Sequence, residues 1–513
     1  MSRTRIIVVT IGLMFGMFMA SMEITVVATA MPTIVSQLGG LAIYSWVFTA
    51  YMLASTTTVP IFGKLADVYG RRPVYTFVMG FFLIGSLLCG MAQSMPQLII
   101  FRTIQGLGAG GLIPLALTMV GDMFSAEQRA KMQGLFAGVW GVSSVVGPLL
   151  GGFLVDQVSW QWIFYINLLP GLVAGSVVWW VWQDEPHHEG SARKISIDYA
   201  GATLLTASVV TFLLGLFELG STTGWLLLAL AAALFAGLAW VERRAADPIL
   251  PIELFKRRLF AIACTHGLLA GWALFGSIAF VPLFVQSVLG TSATAAGATL
   301  TPMILGWVTA SVIGGRLALR INYRTLVLVG SISLTIGTFF LSRVGENTGQ
   351  LVMTIYLTMM GVGMGLAIPI FLVAVQTSIK RQVMGTATST LQFSRTIGGA
   401  LGVNIMGVIF AAGLASGLVA AGLDPAVVSV NSLLNPLPGE TVNVELLASL
   451  RGVLTEAMQA TFFTAFIAAV LALLATLLTP SGYITRLGQR AEVQEIKIDE
   501  NAPKPIPTAA GSD

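Results

Sequence analysis

The chain has 513 residues, 56% of them hydrophobic and only 10% charged, and its mean hydropathy is +0.85. Soluble domains carry about a quarter charged residues, so the balance excludes a water-soluble globular protein and predicts an all-α polytopic membrane protein. The net charge of +4 says little by itself, because what matters is where the basic residues fall. Cys89 and Cys264 both lie inside apolar runs, which argues against a disulfide framework or a metal cluster.

A helix needs about 20 apolar residues to cross ~30 Å of hydrocarbon. By that measure the chain offers fourteen candidate spans, near 6–30, 44–62, 74–93, 97–120, 132–155, 161–182, 200–219, 225–241, 260–288, 296–318, 325–342, 350–375, 385–411 and 460–479. The first could mimic a signal peptide, but it is too long, it embeds Glu23 and more spans follow it. With the N-terminus in the cytoplasm, every Lys and Arg except Arg102, Arg343, Arg395 and Arg451 falls in a cytoplasmic segment. Dropping one span would invert every later loop and destroy that bias, so fourteen spans with both ends cytoplasmic is the topology expected. Residues 183–197 and 242–258 read as polar cytoplasmic connections. Residues 412–457 read as one long external loop, and the tail after Pro480 as disordered.

The stretch "GKLADVYGRRPVY" (63–75) joins the second span to the third. Gly63 and Gly70 would allow close helix approach and a tight turn, Pro73 suits a first helical position, and Asp67, Arg71 and Arg72 concentrate charge. A solvated basic loop explains the arginines but not the spacing. Here the sequence resembles the major facilitator superfamily, whose loop between helices 2 and 3 has this pattern. "RTIQGLGAGG" (102–111) resembles the family's fourth-helix motif, with Arg102 buried and Gly106, Gly108 and Gly110 thinning one face. "GVSSVVGPLLGGF" (141–153) resembles its antiporter motif on helix 5, carried by Gly141, Gly147, Pro148, Gly151 and Gly152. With 56 glycines in the chain, an ordinary glycine-rich packing face is the alternative for that motif.

Further stretches resemble the fourteen-span drug:proton antiporter branch: "SWQWIFYINLLPG" (159–171), "DYAGATLL" (198–205), "DPILPIELFKRRLF" (247–260), "FVPLFVQSVLGTSATAAG" (280–297), "GVGMGLAIP" (361–369) and "GTATSTLQFSRTIGGALG" (385–402). Two departures stand out. Gln161 occupies a place where Arg is usual, and "GGRLALRINYR" (314–324) lacks the acid of the matching first-half loop. The resemblance implies a major facilitator fold with 14 transmembrane helices: six-helix bundles at 1–197 and 259–480, an inserted hairpin at 198–258, and a cytoplasmic tail at 481–513.

"MEITVVATAMP" (22–32) resembles the branch's first-helix motif, in which the acid is most often Asp. Glu23 is the one charged residue between Arg5 and Lys64. An acid at a helix centre costs near ~3 kcal/mol on insertion scales, so it is a functional candidate. A carboxyl whose proton affinity changes with access could carry a proton inward and then meet a cationic substrate. A carboxyl held permanently by hydrogen bonds, or by Arg102, would be structural only. Asp122 ends the fourth span and, by the resemblance, would join Asp67 and Arg71 in a latch closing the cytoplasmic side. Asp156, Asp198 and Glu218 lie near span ends and read as capping or surface groups, and His266 as a packed neutral histidine. Trp46, Tyr51, Phe136, Trp140, Trp272, Phe275 and Trp307 supply aromatic surface that could line a cavity for lipophilic cations, with Arg395 beside them.

A membrane enzyme would need a catalytic constellation near the interface; three histidines without metal-site spacing do not provide one. The expectation is therefore a monomeric proton-coupled antiporter in the cytoplasmic (inner) membrane, exporting lipophilic, cationic drugs. Its partners would be the bilayer, protons and small substrates, with no cofactor and no nucleic acid. Export of an endogenous lipid or amphiphile is the alternative.

Overall fold

A computed structural model describes residues 2–124, 126–183, 198–219, 221–244, 252–318, 320–379, 384–422 and 444–483. Every regular element among them is helical. Helix α1 spans Arg3–Leu38 and starts on the Ser2 hydroxyl, which accepts from the Arg5 amide at 3.4 Å. Such a cap satisfies one of the orphan amides of a first turn. It runs through Pro32 and stops at Gly39, whose φ of 71° few side-chain-bearing residues tolerate. Helix α2 (Trp46–Tyr69) ends at Gly70, and α3 (Arg71–Gly90) begins one residue later. The φ of 92° at Gly70 makes that reversal possible without a loop.

Helices α4 (Met95–Met123) and α5 (Ala126–Gln157) follow, and the expected sixth span is split into α6 (Trp162–Tyr165) and α7 (Leu168–Val181). Next come α8 (Tyr199–Phe217), α9 (Thr222–Glu242) and the short α10 (Ile252–Phe255). The remaining helices are α11 (Arg258–Ser287), α12 (Ala293–Leu317), α13 (Tyr323–Leu341), α14 (Gln350–Ser378), α15 (Met384–Ala420) and α16 (Val444–Leu477). Eleven helices among the described residues are long and apolar enough to cross a membrane, with shorter apolar stretches at Thr25–Leu38 and Ala200–Leu216.

Residues 412–457 do not form one long loop. Helix α15 carries on to Ala420 and α16 starts at Val444, and residues 423–443 lie outside those described. The alanines, leucines and valines flanking that stretch continue the apolar spans Thr390–Ala420 and Ser449–Leu477 beyond the ends expected from sequence. Residues 245–251 and the tail from 484 also lie outside the described residues.

Helices α1 to α7 pack on one another, as do α11 to α16, and α8 pairs with α9. The two sets meet where α5 packs on α12, α2 on α15 and α1 on α11, while α8 touches both α2 and α15. Close approach rests on missing side chains, since in lipid it is small residues that let helices touch. A β-carbon on Gly147 or Gly151 would collide with Met22, Thr25, Val26 or Thr29 of α1, and one on Gly152 with Ala293 and Thr294 of α12. Gly106 and Gly110 press on Tyr51, Ser55 and Thr58 of α2, and Gly108 on Val78 and Phe82 of α3. Gly63 differs from that pattern. Among the described residues no atom of another helix lies within 4 Å of where its β-carbon would be, so close helix approach does not need it. Gly141 has only ordinary contact with Val308, at 3.5 Å.

Candidate functional site

Glu23 sits a little past the middle of α1 and is 1% exposed; Arg102, near the start of α4, is fully buried. Arg102 Nη1 donates to Glu23 Oε1 at 2.6 Å, a charge-assisted bond. Gln105, one turn after Arg102, donates through Nε2 to the same oxygen at 2.9 Å and accepts from Arg102 Nη1 at 2.6 Å through Oε1. The i, i+3 spacing on one helix face allows both side chains to reach one carboxylate. Asn167 donates through Nδ2 to the other oxygen, Oε2, at 2.9 Å. Ser86 of α3 accepts from Gln105 at 2.7 Å and from Asn167 at 3.4 Å, closing the network from below.

Arg102 is held on its other sides as well. Its Nε donates to the Val47 carbonyl at 3.3 Å, and its guanidinium lies 4.0 Å from the Tyr51 ring centroid and 5.9 Å from that of Phe164. Among the described residues the arginine's Nη2 and the Asn167 Oδ1 have no hydrogen-bond partner. Breaking one partner of such a buried pair would leave an uncompensated charge, at a cost of about 3–5 kcal/mol. The break between α6 and α7 has a consequence here, because Asn167 stands at the head of α7 with its side chain turned onto Glu23.

Among the expected site residues, Glu23, Arg102 and Tyr51 come together. Gln105, Asn167 and Ser86 were not foreseen from sequence. The signal available was the polar pair in "RTIQG" and the Asn in "YINLLPG", each isolated within an apolar span. In this state both oxygens of Glu23 are occupied by protein donors, Oε1 by Arg102 and Gln105 and Oε2 by Asn167. Trp46 packs with the cluster containing Leu53, Leu205 and Leu213, so it serves the α2–α8 contact. Trp272 and Phe275 are partly buried against the central core, and Trp307 is 9% exposed with the Arg395 guanidinium 5.8 Å from its ring centroid. Arg72 lies over the Trp179 ring at 4.4 Å. The side chains of Asp67, Asp122, Phe136 and Trp140 lie outside those described.

At the end of the molecule carrying the Gly39–Ser45 turn, the two helix sets are sewn together by polar bonds. Asp156, near the end of α5, accepts from the amides of Ala293 at 3.3 Å and Thr294 at 2.9 Å, and from the Thr294 hydroxyl at 2.5 Å. It therefore caps the start of α12, where unpaired amides favour a negative group. Gln286 donates to the Thr29 carbonyl at 3.0 Å, and the Tyr44 hydroxyl to that of Ala279 at 2.5 Å. Asp198 and Ser221 cap α8 and α9 in the same manner, through the amides of Gly201 and Gly224. His266 is buried, bonded through Nδ1 to Thr476 at 3.1 Å.

Helices glued by glycine faces, with an ion pair at their heart, define a polytopic membrane transporter, and the family model described as Major Facilitator Superfamily matches residues 13–403. The chain belongs to that superfamily. Multidrug transporter protein MdtP of Bacillus subtilis (strain 168) is 40% identical to it over 404 residues, covering 78% of this chain and 74% of that protein. Multidrug resistance protein 3 of the same organism is 41% identical over 407 residues, covering 78% of this chain and 79% of that one. The fold is shared with a crystal structure of a bacterial homologue of the human lysosomal transporter Spinster in an inward-facing, occupied conformation. There the TM-score is 0.70 at 16% identity, covering 93% of this chain and 98% of that chain.

Proposed function

We propose that the protein is a proton-coupled antiporter that exports lipophilic drugs across the cytoplasmic membrane by alternating access. Two relatives from Bacillus subtilis, a multidrug transporter protein and a multidrug resistance protein, support drug export. The proposal of proton coupling is carried by one observation, the 2.6 Å pair between Glu23 and Arg102, buried within the span. A proton arriving on Glu23 would remove the attraction that holds Arg102, and the guanidinium would fall back on Gln105, Val47 and the Tyr51 ring. That is a two-state element whose balance a proton can bias. A lipophilic cation would meet the Glu23 charge only in a state where Arg102 has moved away.

In this reading the chain makes fourteen crossings, with α1–α7 and α11–α16 as six-helix bundles that rock against each other and α8–α9 as the inserted hairpin. The ends joined by Asp156 face outward, so the state described here is closed outside. Asp67, Asp122, Arg71 and Arg72 would latch the cytoplasmic side in the opposite state. The test is export by purified protein in proteoliposomes with an imposed pH gradient. Glu23→Gln should fold normally and lose gradient-driven export; normal active export by that variant would refute proton coupling through Glu23.

A further inference from the structure

Among the described residues Arg395 of α15 is a cation without a counter-ion. Between Glu253 and Asp424 the sequence holds a single acid, Glu346. Glu346 lies elsewhere, lining with Arg451 an opening beside Gly349. Glu23, the acid within α1, is taken by Arg102. Among the described residues Arg395 makes no hydrogen bond or ion pair, and its Nε is buried with no acceptor. Its guanidinium lies 5.8 Å from the centroid of the Trp307 ring.

Arg395 is half-buried, and a guanidinium nitrogen shut off from water in this condition is costly unless something supplies an acceptor. The space for it is there. Arg395 lines a cavity of about 60 Å³ between α11, α14 and α15, with Gly267, Phe371, Leu391, Thr388 and Gln392 around it. Gly267 has no side chain, which leaves the wall open. A β-carbon there would sit 3.7 Å from the Leu391 carbonyl oxygen and 3.8 Å from the Arg395 amide nitrogen, so the backbone tolerates one. The volume is about that of two water molecules in the liquid, enough for a carboxylate and too small for a whole amphiphile. The walls are mainly apolar, apart from Arg395 and the Thr388 and Gln392 side chains.

We infer that this cavity is the subsite for the anionic head of an amphiphilic substrate, with Arg395 as its charge partner. A planar guanidinium matches a carboxylate in two-pronged fashion, and the apolar body of such a substrate would extend past Trp307 toward the seam between the helix sets. The inference rests on the export reading but assigns this cavity a substrate class: here lipophilic acids and zwitterions are held in preference to their neutral and purely cationic counterparts.

The test uses one apolar scaffold in three charge states: pyrenebutyrate, its methyl ester and pyrenebutyl-trimethylammonium. Binding to the full-length protein in detergent is measured by equilibrium dialysis, which needs no gradient. Arg395→Gln should weaken pyrenebutyrate binding about tenfold or more, the scale of a lost hydrogen bond to a charged group. Arg395→Lys should recover part of it, and Gly267→Val, which fills the cavity and spares the arginine, should mimic the loss. The ester and the ammonium compound should stay within about twofold of wild type. Unchanged pyrenebutyrate binding in Arg395→Gln overturns the inference, and so does an equal loss of all three compounds. A protein that binds pyrenebutyrate through Arg395 but shows no gradient-driven export in liposomes would refute the antiport reading and leave the subsite standing.

Discussion

Asn167 and Arg102 hold opposite oxygens of the same carboxylate: Asn167 Nδ2 lies 2.9 Å from Glu23 Oε2, and Arg102 Nη1 lies 2.6 Å from Oε1. The first reaches in from the break in the sixth span, the second from α4, so the carboxylate joins α1 to both. Removing Asn167 should loosen this join without discharging it. We expect Asn167→Ala to fold, to keep substrate binding, and to lose about tenfold in turnover, since a hydrogen bond to a charged group is worth about 1.5–3 kcal/mol. Initial export rates at saturating substrate measure it; a rate within twofold of wild type would count against a coupling role for Asn167.

The ion pair makes a stability prediction with a sign. Arg102→Met leaves a buried carboxylate facing no cation and should destabilise the protein by about 3–5 kcal/mol, whereas removing both charges in Glu23→Gln with Arg102→Met should recover most of that loss. Thermal unfolding of the detergent-purified variants reads both values. If the double variant is no more stable than Arg102→Met, the two side chains are not coupled as their 2.6 Å separation demands.

Asp156→Asn should weaken the seam at the Gly39–Ser45 end. The amide keeps the shape but loses the charge that three donors from Ala293 and Thr294 converge on. Thr29 is buried at that seam and Cys89 and Cys264 are buried elsewhere, so a Thr29→Cys variant reports opening with little background. Maleimide labelling from outside should rise severalfold when Asp156→Asn is added. No change in labelling would show that the cap does not hold the ends together.

The glycines separate into two behaviours. Gly151→Leu must push Val26 and Thr29 of α1 aside and should cost about 1–3 kcal/mol through overpacking, with export lost. Gly63→Ala meets open space and should leave stability within about 0.5 kcal/mol, as surface changes do. Equal tolerance at both positions would mean that α1 and α5 are not packed as described.

Much of this was legible in the order of residues. Long apolar runs separated by clusters of Lys and Arg announce membrane helices because hydrocarbon admits no unpaired backbone group. The capping role of Asp198 was likewise readable from its place before "YAGATLL". The loop expected at 412–457 was drawn too long because its small and polar residues outweigh the leucines and valines at its two ends, which continue the apolar helices.

The sequence by itself determined that Glu23 is anomalous: a charge surrounded by apolar residues has to be compensated by something. It could not say by what. Gln105 and Ser86 are ordinary polar residues in the chain, Asn167 lies 144 positions away from Glu23, and their shared carboxylate exists only because α1, α3, α4 and α7 converge. The same holds for Arg395, which as a residue type predicts pairing. Its isolation emerges only from the packing, which among the described residues leaves its Nε buried without an acceptor. Composition fixes which groups need partners, because desolvation is a property of the group; which partners they receive depends on helix packing, which is a property of the whole chain.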